Sequence, residues 1–186
     1  MKGKVYAFLL TVVSFISVAQ DNQYSQFYAN KLYLNPAFTG TEICPRIILG
    51  FRDQWPGLTG EYVSYSASYD QSVNKTGFGI IFNGDDAGKG VLKTNTISAI
   101  MSPKVQLTNA YTLSFAVSAG IIQKKMDHST LVFPNQINSD GPNSVPQEIN
   151  SDVSKITPDI STGMLLYSSD VYVGYSMHHV LQPNNI

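Results

Sequence analysis

The sequence predicts an all-β protein, a transmembrane antiparallel up-and-down β-barrel with about seven strands behind a short N-terminal helical segment. Three observations predict it. Apolar and small or polar residues alternate with period two in segment after segment. Most of these segments run to about ten residues, long for a globular strand and right for a tilted bilayer crossing. Short and long connections also alternate along the chain, as periplasmic turns and external loops do in outer-membrane barrels.

Composition agrees and sets limits. Of the 186 residues 43% are apolar and only 13% charged, which excludes intrinsic disorder, a state of low hydrophobicity and high charge. The net charge of −1 leaves no electrostatic footprint for nucleic acid. Eleven Tyr, nine Phe and fourteen Gly suit β-structure whose outer solvent is water or lipid. The chain opens with Lys2 and Lys4, an apolar run from Val5 to Val18, and Ser17-Val18-Ala19 before Gln20. That order predicts a Sec signal peptide over residues 1–19, cleaved after Ala19. The run is too short to span a membrane as a helix, and no second apolar stretch is long enough either. Cys44 lies well past the cut and has no second cysteine to pair with.

The elements follow in order. Residues 20–45 form an N-terminal periplasmic or plug segment: Tyr24, Phe27, Tyr28 and Leu32 recur at helical spacing, and Asn35-Pro36 ends any helix there. Strand candidates then lie near 46–55, 61–70, 77–83, 91–107, 110–124, 157–167 and 171–181. In the first, Ile47, Leu49 and Phe51 oppose Ile48, Gly50, Arg52 and Gln54. The second sets Val63, Tyr65, Ala67 and Tyr69 against Ser64, Ser66, Ser68 and Asp70. The fifth is the cleanest, with Leu113, Phe115, Val117, Ala119 and Ile121 opposite Thr112, Ser114, Ala116, Ser118 and Gly120. Pro103 should mark a bulge or an end in the fourth. The polar faces make Arg52, Ser64, Ser66, Ser68, Ser114 and Ser118 candidate lumen-facing residues. With the first strand running outward, connections 71–76, 108–109 and 168–170 are periplasmic turns, and 56–60, 84–90 and 125–156 are external loops. The last of these is 32 residues long. A water-soluble β-sandwich that binds carbohydrate also alternates, but explains neither strand length nor loop order.

Motifs for chemistry each fail a test. Gly84-Asp85-Asp86-Ala87-Gly88-Lys89-Gly90 lacks the spacing and the Ser or Thr of a phosphate loop, and no calcium-loop ligands follow the two aspartates. Asp127-His128-Ser129 are sequence neighbours and form no triad relay. His178 and His179 on a strand would point to opposite faces. The sequence therefore predicts no enzyme, catalytic residue, cofactor or metal site.

Several blocks carry a resemblance. Asp21-Asn22-Gln23-Tyr24-Ser25-Gln26-Phe27-Tyr28, Asn30 and Leu32-Tyr33-Leu34-Asn35-Pro36-Ala37-Phe38-Thr39-Gly40 open the mature chain. Arg52-Asp53-Gln54-Trp55-Pro56, Ser68-Tyr69-Asp70, Gly77-Phe78-Gly79 with Asp86-Ala87-Gly88, Gln123, Asp127, Leu131, Phe133 and Gln136, and Gly174-Tyr175-Ser176 with Pro183-Asn184 follow. Together they resemble the PorP/SprF family, outer-membrane proteins associated with type IX secretion in the Bacteroidota. Lys31 and Asn135 depart from the family's more frequent Pro and Asp. The family-motif positions are Asp21, Gln23, Ser25, Gln26, Asn35, Pro36, Arg52, Gln54, Trp55, Asp70, Asp127 and Gln136.

The resemblance implies a single-chain barrel related to the fatty-acid-transporter fold. As partners it implies periplasmic ring and translocon components, outer-membrane lipid, and a secreted adhesin with the type IX C-terminal signal. It also implies a longer protein, of which residues 46–186 would be the N-terminal half of the barrel, with two free sheet edges. Anchoring the adhesin at the cell surface is the expected function; a channel for hydrophobic or small solutes is the alternative.

Overall fold

A computed structural model of the chain describes residues 27–58, 60–88, 90–127, 137–138, 141–142 and 153–181. The signal-peptide reading, Tyr24 and most of the longest connection lie outside the described residues. Among the described residues the strands are β1 (Arg46–Gln54), β2 (Tyr62–Val73), β3 (Thr76–Ala87), β4 (Leu92–Gln106), β5 (Thr112–Met126), β6 (Ile137–Asn138), β7 (Gly141–Pro142), β8 (Val153–Tyr167) and β9 (Tyr172–Met177). The two-residue strands β6 and β7 pair only with each other. The other seven form one antiparallel sheet in the order β1-β2-β3-β4-β5-β8-β9, each strand beside its neighbour in the main sequence order. One sheet with a continuous meander excludes the two-sheet sandwich.

Three strands are longer than their alternation suggests: β2 and β3 each span twelve residues and β8 fifteen. β4 and β5, fifteen residues each, do not exceed their expected lengths. The connection 71–76 contracts to Asn74-Lys75, with Asn74 at φ 55°, a conformation that asparagine tolerates. Asp85 and Asp86 belong to β3 rather than to a loop, so they project to opposite faces. Pro103 neither ends β4 nor shifts its register. Met101 pairs with Val117 and Lys104 with Ser114, and only the rungs between them are missing from the β5 ladder. A proline removes one donor, and a strand held from its other side by β3, where Thr76 pairs with Pro103, survives that loss. The last strand is shorter than expected. It stops at Met177, and His179 takes φ 53°, turning the chain inward so that Val180 N donates to Ile160 O at 2.8 Å.

The sheet is curled into a half-barrel, as the contacts of one residue show. The Phe38 carbonyl accepts from Arg46 of β1 at 3.3 Å, and its ring meets Tyr172 of β9 edge-on at 5.4 Å. In a flat sheet the first and last strands would lie ~29 Å apart, beyond the joint reach of two side chains. The convex face is apolar and exposed: Ile47, Leu49, Phe51, Ile97, Met101 and Val117 are examples. The buried core, Leu32, Ala37, Phe38, Ile81, Ile100, Ala116 and Leu165, lies on the concave side. This is the inside-out pattern of a wall facing hydrocarbon. Among the described residues no helix is long and apolar enough to cross a membrane.

Candidate functional site

The concave face is occupied at one end by residues 27–41. Two asparagines shape this segment. A 3₁₀ turn (Phe27–Ala29) stops at Asn30, whose side chain accepts from Tyr33 N and caps α1 (Lys31–Leu34). Asn35 ends α1 in an extended conformation and caps a second 3₁₀ turn (Pro36–Phe38), accepting from Ala37 N at 2.8 Å. The helical run from Phe27 to Leu34 is thereby broken at Asn30, because an asparagine side chain competes with the helix for backbone donors. The breaks let the segment follow the curl of the wall.

Glycines in the wall admit the segment's backbone. A Cβ at Gly77 would overlap the Thr39 carbonyl, and one at Gly79 would sit 2.9 Å from Thr39 Cγ2. A Cβ at Gly163 would overlap Asn35 Oδ1, and one at Gly174 would lie 2.9 Å from Asn35 Nδ2. Asn35 also donates from Nδ2 to the carbonyls of Met164 (3.1 Å) and Tyr175 (3.2 Å), so one amide clamps β8 and β9 together. Gly163→Ala should cost about 1–3 kcal/mol through overpacking. It should also speed trypsin cleavage after Lys31, whereas Gly60→Ala, with open space at its Cβ, should leave both unchanged. Urea unfolding in micelles and timed proteolysis of the full-length protein read the two effects.

A charged latch holds the other side. Asp70, 1% exposed, accepts from Gly40 N at 2.7 Å and from Arg46 Nε and Nη2 at 2.9 and 3.0 Å. Lys104 Nζ donates to the Gly40 carbonyl and, at 3.2 Å, to Ser72 Oγ. Both backbone groups of Gly40 are thus taken by charged side chains of the wall, and charge-assisted bonds of this kind are strong. Lys31 and Arg46 both reach Glu42, at 3.1 and 3.3 Å. The Lys31 ammonium, with a smaller contribution from Arg46, holds the Glu42 carboxyl below the ordinary carboxylate range.

The segment lies at the end of the sheet that carries the short turns 74–75, 107–111 and 168–171. Asn35 and Pro36, over β8 and β9, and Asp70, on β2, all lie at that end. Arg52 and Gln54 are at the opposite end, joined at 2.9 Å, with exposed Trp55 beside them. Asp127 is at that same end, its N–H donating to Val91 O. Asp21, Gln23, Ser25, Gln26 and Gln136 lie outside the described residues. Ser64, Ser66, Ser68, Ser114 and Ser118 are on the concave side but buried in packed surroundings. Ser114 Oγ is 2.7 Å from Ser102 Oγ. His178 and His179, lying past the end of β9, do not alternate: His178 approaches the Leu34 carbonyl at 3.4 Å and His179 Nδ1 meets Asp159 at 2.9 Å. Among the described residues no three His, Cys, Asp or Glu side chains group as metal ligands.

Thr39, Gly40, Arg46, Lys104 and the four cradle glycines were not singled out as site residues by the sequence. The available signal was the Gly77-Phe78-Gly79 repeat, which leaves one face of a strand without side chains. The family model for the type IX secretion system membrane protein PorP/SprF matches residues 16–186. No curated protein and no solved structure matches the chain.

Proposed function

The chain belongs to the PorP/SprF family of type IX secretion system membrane proteins, and from that premise we propose that it is a non-enzymatic outer-membrane barrel that anchors a secreted adhesin at the cell surface. Residues 1–19 are in this reading a signal peptide cleaved after Ala19, residues 20–45 a plug on the periplasmic side, and residues 46–186 barrel wall. Its partners are an adhesin bearing the type IX C-terminal signal, the periplasmic ring and translocon components, and outer-membrane lipid.

The observation that carries the reading is the latched segment across the short-turn end. A wall whose glycines are shaped to its own N-terminal segment supports a closed base better than an open conduit. The opposite end carries the long connections, and long loops on a rigid scaffold are where binding residues concentrate. The polar concave face favours the second reading, a channel for small or hydrophobic solutes, once the segment is displaced.

Deleting residues 138–152 from the full-length protein should leave a heat-modifiable barrel in the outer membrane and release adhesin into the medium. Surface adhesin retained on a normally assembled barrel would remove this loop as the contact. Impaired solute uptake with adhesin still in place would decide for the channel.

A further inference from the structure

The long-connection end of the sheet brings four lysines together in two consecutive rungs. On the convex face Lys93 of β4 stands directly opposite Lys125 of β5. One rung along, on the concave face, Lys124 of β5 stands opposite Lys155 of β8. Like charges directly across an antiparallel pair destabilise it. Lys93 and Lys125 are both exposed. Lys93 also leans on the Asp86 carboxylate at 3.5 Å, which offsets part of the local charge.

Their height is defined by the register. On the same face the rung below is Asn95 with Gln123, and the next is Ile97 with Ile121, where the apolar belt begins. Four residues of strand tilted by about 45° rise ~9 Å, which places the two ammonium groups at headgroup level above the hydrocarbon. Two facing cations at that depth match an anion that reaches them from the lipid side. A phosphate monoester supplies several acceptor oxygens and up to two negative charges, enough to bridge both ammonium groups.

We propose that Lys93 and Lys125 form a binding site for the phosphate of an outer-leaflet glycolipid. The site rests on the orientation given above, with the short turns in the periplasm. It does not rest on adhesin anchoring, so failure of either leaves the other standing.

The test uses the full-length protein in nanodiscs, with bound lipid counted by native mass spectrometry. The probes are bisphosphorylated lipid A, dephosphorylated lipid A and phosphatidylglycerol. The wild type should retain the bisphosphorylated form in preference to both others. Lys93→Gln and Lys125→Gln should each lower retention about fivefold and the double variant about 25-fold, the scale expected per lysine at an anionic surface. Lys124→Gln with Lys155→Gln, on the concave face, should change nothing. Wild-type retention by the double variant would overturn the site, and so would equal retention of phosphatidylglycerol. Heat-modifiability checks the folding of each variant. Lys125→Gln alone decides the matter if loss of the Lys93–Asp86 pair disturbs assembly.

Discussion

Asp70→Ala is expected to destabilise the full-length barrel by about 3–5 kcal/mol, the scale for removing one partner of a buried charge pair. The carboxylate is the common acceptor for Gly40 N–H and the Arg46 guanidinium. Its removal strands the Gly40 N–H at a position only 1% exposed, and leaves Arg46 with Glu42 and the Phe38 carbonyl. Urea unfolding in micelles measures the loss. Because Arg46 also donates to Phe38 O, the effects of Asp70→Ala and Arg46→Ala should be far from additive, with the double variant less damaged than the sum. Additive losses would show that the latch does not act as a unit. The same variant should expose Lys31 to trypsin, since Gly40 would then be held from the Lys104 side alone.

Val117→Arg is expected to cost about 2–4 kcal/mol if the middle of β5 faces hydrocarbon, and Gln123→Arg about 0–1 kcal/mol. Both residues are on the convex face of one strand, so depth alone separates them. Equal costs at the two positions, by unfolding in lipid, would contradict the wall reading. An arginine at Ser118 would not be a harmless control. Ser118 is on the concave face but buried between Ile100 and Ser161 of the neighbouring strands, where a large side chain meets packed atoms and not open water.

That last point shows where sequence reasoning stopped. Period-two alternation identified the two faces of β2 and β5 because side-chain direction in a strand is a local property. It gave no measure of curvature. Burial of Ser64 or Ser114 depends on how tightly seven strands curl and on what fills the hollow, both properties of distant contacts. The site shows the same division. Asn35-Pro36 was legible as a chain break, yet the two carbonyls that Asn35 binds belong to Met164 and Tyr175. Nothing local marks Gly163 and Gly174; what sets them apart is Asn35 lying over them. His179 was counted as strand because the alternation continues past Met177. Its positive φ is imposed by the bonds to Asp159 and Ser161, which no local pattern encodes.

The Asn35 clamp also sets an order of events. Its two acceptors are 129 and 140 residues away in sequence, among the most distant pairings that this chain makes. Contacts of such separation form late, because the intervening loop must be closed before any bond rewards it. Residues 27–41 therefore find their complete seat only after β8 and β9 have been laid down. Until then Asn35 has no carbonyls to bind, and the Gly163–Gly174 cradle does not exist. Insertion into the membrane thus proceeds with an unfinished base, and docking of the N-terminal segment is a late signal that this stretch of wall has been assembled in the right register.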